Sequence, residues 1–413
     1  MSKTIIIIGA GLAGLSAALQ AAENGCNVKL VSSLPSERAQ SVMAEGGINA
    51  ALNTKDENDS PEEHFTDTIK AACGLADPNA VWGMTQAAPE LVHWLLKLGV
   101  KFNMSGYDDV DLRNFGGQKK KRTAFAQSDT GKQIMTAMID AVRRKEASGM
   151  VERFSHHSFL TLRLCGNICC GCVIRDEYSQ ETVELPGDAV IVAIGGMHGL
   201  FGNTTGSLSN TGEVTAELFR LGVPLANGEM IQYHPTTVKC GGKRMLISEA
   251  ARGEGGRLFA MKDGKQWYFM EEKYPELGNL MPRDITAREI WKVSHESEVF
   301  LDMTEISDEI ISNKLSGLAD DCMTYLHKDI RKEPVSVLPG IHYFMGGILV
   351  DEQHRTPIQN LYAAGECCAQ YHGANRLGGN SLLGALYGGR VAAKSACEQA
   401  DVVNLSCATQ IDF

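Results

Sequence analysis

Apolar residues along the chain fall into short solid runs and longer periodic ones. Thr4 to Ile8 is nearly all β-branched with no polar interruption, the pattern of a strand buried on both faces of a parallel sheet. Leu15 to Asn24 is alanine-rich and helix-favouring and ends at Gly25, after which Asn27 to Ser32 is extended and mostly apolar again. Strand, glycine turn, helix and strand in this order predict a βαβ unit. Pro61 to Gly74, Asn79 to Gly99 and Thr130 to Gly149 have helical spacing between Pro, Asn or Gly, and Asp188 to Ile194 is a further buried strand closed by Gly195-Gly196. From about Thr237 to Gly340 charge and aromatics increase and no βαβ pattern recurs, which predicts an inserted domain. The expected organisation is an α/β nucleotide-binding domain in two parts, 1–236 and 341–413, around an insertion at 237–340.

Composition narrows the function classes. Glycine is 43 of 413 residues, above the usual ~7%, while 44% apolar and 22% charged content is that of a folded protein. The glycine excess therefore needs local causes. Lys plus Arg at 39 against Asp plus Glu at 50 gives −11, which excludes an electrostatic grip on nucleic acid over the whole surface. An anionic ligand must be held by local groups instead. The 12 cysteines read as reduced thiols; with no CxxCH and no matched CxxC pairs, neither c-type haem nor a metal site is expected. Thr4 to Ala22 carries no charge, but its three glycines and Gln20 argue against a signal peptide or membrane helix. A cytoplasmic protein without direct membrane insertion is expected.

Gly9-Ala10-Gly11-Leu12-Ala13-Gly14 sits between the first strand and the first helix, where a GxGxxG motif carries a mechanism. Gly9 allows the tight turn, Gly11 lets a pyrophosphate approach the backbone, and Gly14 lets helix and strand pack closely. The helix N-terminus adds free N–H groups and a positive dipole. Where an acidic residue normally grips a ribose, the chain has Ser32 and Ser33, which argues against a generic NAD site.

Other segments combine ionisable groups with turn formers. They are Ser41 to Ala50, Gln232 to Thr237, Ser248 to Gly256, Pro282-Arg283-Asp284, Gly340 to Gly347, Ala364 to Cys368 and His372 to Leu382. Together they resemble the flavoprotein family of fumarate reductase, succinate dehydrogenase and L-aspartate oxidase, in the family's order from residue 4 to about 395. The resemblance implies a Rossmann-type FAD-binding domain interrupted by an α+β capping domain, with the active site between them. It assigns His234, Ser248, His342 and Arg376 to the carboxylates of a C4 dicarboxylate, Arg283 to acid–base duty, and Glu249 and Arg252 to the relay that returns its proton. It places Gly9, Gly11, Gly14 and Ser32 at the FAD nucleotide, Ser41, Gly46 and Gly47 along the flavin, Glu366 at a ribityl or ribose hydroxyl, and Asn380, Ser381 and Leu382 at the flavin ring. The chemistry agrees: a dianion needs converging cations and donors, and arginine's fork matches a carboxylate. His64, His93, His156, His157 and His295 read as structural.

Two departures bear on the subtype. In the respiratory members a histidine in Arg-Ser-His-Thr links covalently to FAD; Arg38-Ala39-Gln40-Ser41 puts an amide there, so FAD is expected to be non-covalent. Those members also have a C-terminal helical domain that helps to dock an iron–sulfur subunit, whereas this chain stops just after the last FAD-domain helix. No second nucleotide fingerprint, haem motif or iron–sulfur motif names the electron donor, so NADH, a reduced free flavin, a ferredoxin-like carrier and a separate electron-donor protein or iron–sulfur subunit all stay open. L-aspartate oxidase, the first alternative, needs a carboxylate for the substrate ammonium, and Phe115 stands at that position. Lys119 to Arg122, just beyond it, reads either as a solvated basic patch or as a docking site for an acidic carrier. A non-catalytic FAD-binding electron-transfer subunit is the second alternative. It is disfavoured because none of Arg283, Arg376, His234 or His342 is lost.

Overall fold

The computed structural model describes residues 2–106 and 109–400. Its central sheet has five parallel strands, β1 (Thr4–Ile8), β2 (Asn27–Ser32), β3 (Val151–Ser155), β4 (Ala189–Val192) and β5 (Leu361–Ala363), in the spatial order β5-β4-β1-β2-β3. β1 lies in the middle, and both of its faces are apolar. Ile5 and Ile7 enter one core while Ile6 and Ile8 enter another, none more than 4% exposed. Burial of each such side chain stabilises the fold by about 1.5–3 kcal/mol, which is why a run this solid can only be a central strand.

The first face is covered by α1 (Leu12–Glu23), α2 (Thr130–Ala147) and α3 (Asn380–Gln399), which share a core with Ile5 and Ile7. Small residues let the helices approach one another: a Cβ at Gly389 of α3 would lie 2.3 Å from the Ala13 carbonyl oxygen of α1. The other two expected helices are Pro61–Ala71 and Pro78–Lys97, each starting at a proline after a capping side chain. Ser60 Oγ accepts from Glu63 N, and Asp77 Oδ1 accepts from Asn79 N and Ala80 N. The second face carries an antiparallel sheet of His157–Cys165, Ile168–Asp176 and Thr182–Pro186.

A separate core gathers apolar residues from Ile247 to Val337, joined by Phe115. Around it lie a four-stranded antiparallel sheet and helices that include Arg283–Val293 and Ser316–Asp321. The fold is therefore a Rossmann-type α/β domain interrupted by an α+β capping unit. The chain leaves through Ile231–Cys240 and returns through Leu338–Phe344, and these two strands pair antiparallel, His234 opposite Gly340. No helix among the described residues is long and apolar enough to cross a membrane.

The fold splits the basic stretch at 119–122: Lys119 and Lys121 are exposed, as a solvated patch would have them, and Arg122 is not. Arg122 is fully buried, with Nη2 2.8 Å from Asp59 and Nη1 3.0 Å from Asp67. Lys121 lies 3.6 Å from Glu57. Arg122 is thus an internal ion-pair residue, because carboxylates brought in from 59 and 67 neutralise it, while Lys119 and Lys121 stay at the surface.

Candidate active site

One cleft of about 650 Å³ runs from the end of β1 across to the second core. At its first end Gly9, with φ +110, and Gly14 are fixed by packing: a Cβ at Gly9 would lie 2.2 Å from Ala193 O, and one at Gly14 1.8 Å from Gly9 O. Gly11 is different. Its nearest neighbour would be Ser41 Oγ at 3.7 Å, so nothing in the protein forbids a side chain there. Gly11 caps α1 with no side chain of its own, and Ser41 Oγ accepts from Leu12 N at 3.3 Å. The bare helix start faces the cleft, the arrangement that suits a phosphate group.

Ser32 closes β2 at the wall of this end, and its buried Oγ has no protein partner. Ser41 lies on a turn, Gln40–Met43, ahead of the strand Ile48–Asn49, with Gly46 and Gly47 between. Any side chain at Gly46 would meet the Phe115 ring at 2.9 Å, and Gly47 has φ +132, with Ala124 O only 2.5 Å from where a Cβ would stand. Gln40, Glu366, Ser381 and Leu382 also line the cleft. Glu366 Oε1 accepts from Phe344 N at 3.1 Å and lies 3.1 Å from His198 Nε2. Asn380 is an exception among the expected residues. It is fully buried, and its side chain engages Asn49 Nδ2, His64 Nε2 and Thr68 Oγ1 rather than the cleft. The reason is its position as first residue of α3, where this polar network anchors the helix.

At the other end, the paired strands 231–240 and 338–344 present His234 and His342, whose rings lie 5.1 Å apart. Burial, reinforced by neighbouring charged groups, keeps both well below the ordinary histidine range, so both are neutral at pH 7. Thr205 Oγ1 bonds His342 Nδ1 at 2.8 Å. Ser248 caps the helix Glu249–Gly253, accepting from Ala250 N at 3.4 Å, and leaves its O–H to the cleft. That short helix brings Glu249 and Arg252 to one side. Glu249 Oε2 takes Arg283 Nε at 2.8 Å and Nη2 at 2.7 Å; its Oε1 takes Gly116 N at 3.0 Å and faces Arg252 Nη2 at 3.4 Å. Burial pushes the Glu249 carboxyl up, but Arg283 and Arg252 outweigh it and hold it below the usual range. Burial lowers Arg252 as well, and Arg252 lies behind Glu249, off the cleft wall.

Arg376 lies over the Tyr343 ring at 4.3 Å, with a buried Nε that has no protein partner. Burial and the nearby Arg283 bring its pKa down to about 9. Among the described residues Glu249 is the only carboxylate bonded to or paired with Arg252, Arg283 or Arg376. Three buried arginines thus share one bonded carboxylate, with Glu366 acting on Arg376 only through space, which leaves an excess of positive charge.

Several residues in or behind the cleft carried no expectation. Gln232 shares its strand face with His234; its Oε1 accepts from Arg283 Nη1 at 3.0 Å and its Nε2 donates to Arg376 O at 2.7 Å. Both Gln232 and Tyr343 sit beside expected residues in the same motifs, so period-two alternation would have found Gln232. Glu45 lines the cleft with a buried, unpartnered Oε2, and burial and then Asp321 push its pKa to about 8. His198 and Thr205 had no local signal. Among the described residues no group of His, Cys, Asp or Glu could hold a metal ion.

Residues 4–382 match the family described as FAD binding domain. The succinate dehydrogenase flavoprotein subunit of Bacillus subtilis is 44% identical over 403 residues, 95% of this chain and 69% of its own length. The L-aspartate oxidase of Streptomyces coelicolor is 34% identical over 409 residues, 96% and 69% respectively. A solved structure of E. coli quinol fumarate reductase FrdA superposes with a TM-score of 0.91 at 30% identity, covering 98% of this chain and 72% of that one. The bare helix start, the unpartnered Ser32 hydroxyl and the glycine-lined wall suit a dinucleotide cofactor, and that agrees with these relatives. The chain belongs to the FAD-binding family of succinate dehydrogenase and fumarate reductase flavoprotein subunits, and is an FAD-dependent oxidoreductase.

Proposed function

We propose that the protein interconverts fumarate and succinate, working as a fumarate reductase. The observation that carries this reading is the excess of buried arginines over bonded carboxylates at one end of a cleft whose other end fits a dinucleotide. A dianion of two carboxylates a few bonds apart satisfies that charge; a neutral or monoanionic substrate leaves a buried charge unpaired, which is costly. Gly9, Gly11 and Ser32 would hold the nucleotide half of FAD, and Ser41, Gly46, Gly47, Glu366, Ser381 and Leu382 the flavin half. Bound there, FAD supplies hydride chemistry at flavin N5.

The chain's own residues do the rest. His234, Ser248, His342 and Arg376 hold the carboxylates, Arg376 by its fork and the neutral histidines as single donors. Reduction needs a hydride on one alkene carbon and a proton on the other. Arg283 delivers the proton, because it is the cation that both faces the cleft and touches a carboxylate. Glu249 and Arg252 return a proton to Arg283 through the 2.7 Å and 3.4 Å contacts. Phe115, 2% exposed and at the cleft wall, offers no charge to a substrate ammonium, which favours a dicarboxylate over aspartate. FAD is held without a covalent bond, since the amide of Gln40 is not a nucleophile. Electrons arrive from a separate donor protein or an iron–sulfur subunit.

Titrating the reduced protein with fumarate, succinate and aspartate tests the reading. Fumarate should reoxidise the flavin, succinate should bind without doing so, and the native protein should oxidise aspartate far more slowly than it reduces fumarate. Acid precipitation should leave the yellow flavin in the supernatant. Aspartate oxidation at a rate comparable with fumarate reduction would reverse the assignment.

A further inference from the structure

The cysteines are free thiols throughout the described residues, yet one pair differs from the rest. Cys26, in the turn between α1 and β2, and Cys397, in the last turn of α3, have their Sγ atoms 2.9 Å apart although 371 positions separate them. A disulfide needs the sulfurs at about 2.05 Å, so closure asks for a movement of roughly 1 Å. Lys3 ties the two segments together: its Nζ donates to Cys397 O at 2.7 Å, and its O accepts from the N of Asn27, next to Cys26, at 2.8 Å. The other near pair, Cys367 and Cys368, is 4.0 Å apart, and as sequence neighbours the two could close only a strained small ring.

We propose that Cys26 and Cys397 are a redox-responsive dithiol whose disulfide pins the C-terminal end of α3 to the start of β2. The oxidant is a low-molecular-weight disulfide of the glutathione class. The half-buried Cys397 is the first to react: its thiolate attacks one sulfur of the oxidant, breaking that S–S bond and expelling one thiolate. Cys26, 5% exposed and facing it, then attacks Cys397 Sγ and expels the second. The two cysteines together lose two electrons and two protons, and the oxidant becomes two thiols. Burial and the adjacent Cys26 hold the Cys397 thiol above its ordinary range, with Lys3 opposing, so little thiolate exists at neutral pH. Oxidation is therefore slow near pH 7 and accelerates about tenfold per pH unit. The link matters because the opposite end of α3 supplies Ser381 and Leu382 to the cleft. A helix fixed at both ends resists the fraying that would open that wall.

The test uses the FAD-loaded full chain, incubated with oxidised glutathione at pH 8, alkylated, digested without reduction and mapped by mass spectrometry. A peptide linking residues 26 and 397 is expected. It should be absent from Cys26→Ser and from Cys397→Ser, reversed by dithiothreitol, and accompanied by a rise in Tm of several degrees in the native sequence alone. Recovery of both cysteines as alkylated thiols or as separate glutathione adducts, in a sample where the exposed Cys73 has reacted, would overturn the proposal. A cross-link that leaves Tm unchanged would overturn the pinning role.

Discussion

Replacing Glu249 by Gln keeps the shape of the side chain and removes the one charge that balances the buried arginines. In the native site its two oxygens accept from Arg283 Nε and Nη2, at 2.8 Å and 2.7 Å, and from Gly116 N at 3.0 Å, while Arg252 Nη2 lies at 3.4 Å. A carboxamide has one oxygen for these donors and turns an NH₂ toward either a guanidinium or the Gly116 N–H. Breaking a buried ion pair by removing one partner costs about 3–5 kcal/mol, and here two arginines lose their counterion. Part of that appears as lost stability and part as disorder of Arg283. The relay adds a kinetic term, since a positioned proton-transfer group contributes about 10²–10⁴-fold. Steady fumarate reduction should therefore fall at least about 100-fold. The first turnover should suffer less, because Arg283 still carries one proton. Dicarboxylate affinity should hold or tighten, because the site becomes more positive. Stopped-flow flavin reoxidation, steady-state turnover and a succinate titration of the oxidised flavin separate these effects. Steady turnover within about threefold of native would refute the relay, and loss of succinate binding would refute the charge argument.

Arg122→Met should lower stability by about 3–5 kcal/mol, because it strands Asp59 and Asp67 in the interior, with Asp59→Asn partly restoring the Tm in the double variant. Glu45→Gln should remove a pH-dependent penalty. The native carboxyl titrates near 8 rather than the usual 4.5, so as pH rises between these values the unfolded chain loses a proton that the folded one keeps, and the folded state loses stability. The Tm advantage of Gln over Glu should accordingly grow from pH 5 to 8 and then level off; a difference independent of pH would contradict it. Phe115→Glu should raise aspartate affinity at the expense of fumarate, measured by competitive titration, if this position decides between ammonium and carboxylate.

What could be read from the chain was what local patterning controls. The solid run Ile5–Ile8 had to be a central strand, and Gly9 and Gly14 sit where a Cβ would strike Ala193 and Gly9 carbonyl oxygens. His234, Ser248, Glu249, Arg283, His342 and Arg376 lie in segments far apart in sequence, yet all reach one cleft. What could not be read depends on partners that only the fold supplies. Arg122 looked like surface charge because Asp59 and Asp67 are some sixty residues away. Asn380 turns from the cleft because His64 and Asn49 offer it buried partners. Glu45 looks like any loop carboxylate until the fold buries it and brings Asp321 of the capping unit near it.

Whether the cleft-facing Arg283 gives fumarate its proton is decided by rapid mixing of the anaerobically reduced protein with fumarate. The native protein should recover its oxidised flavin spectrum in a single fast phase and yield succinate. Arg283→Ala should bind FAD and succinate yet reoxidise at least about 100-fold more slowly, with Arg283→Lys between the two. Reoxidation of the Arg283→Ala flavin by fumarate at close to the native rate would mean that the proton comes from another group and that the mechanism assigned to this site is wrong.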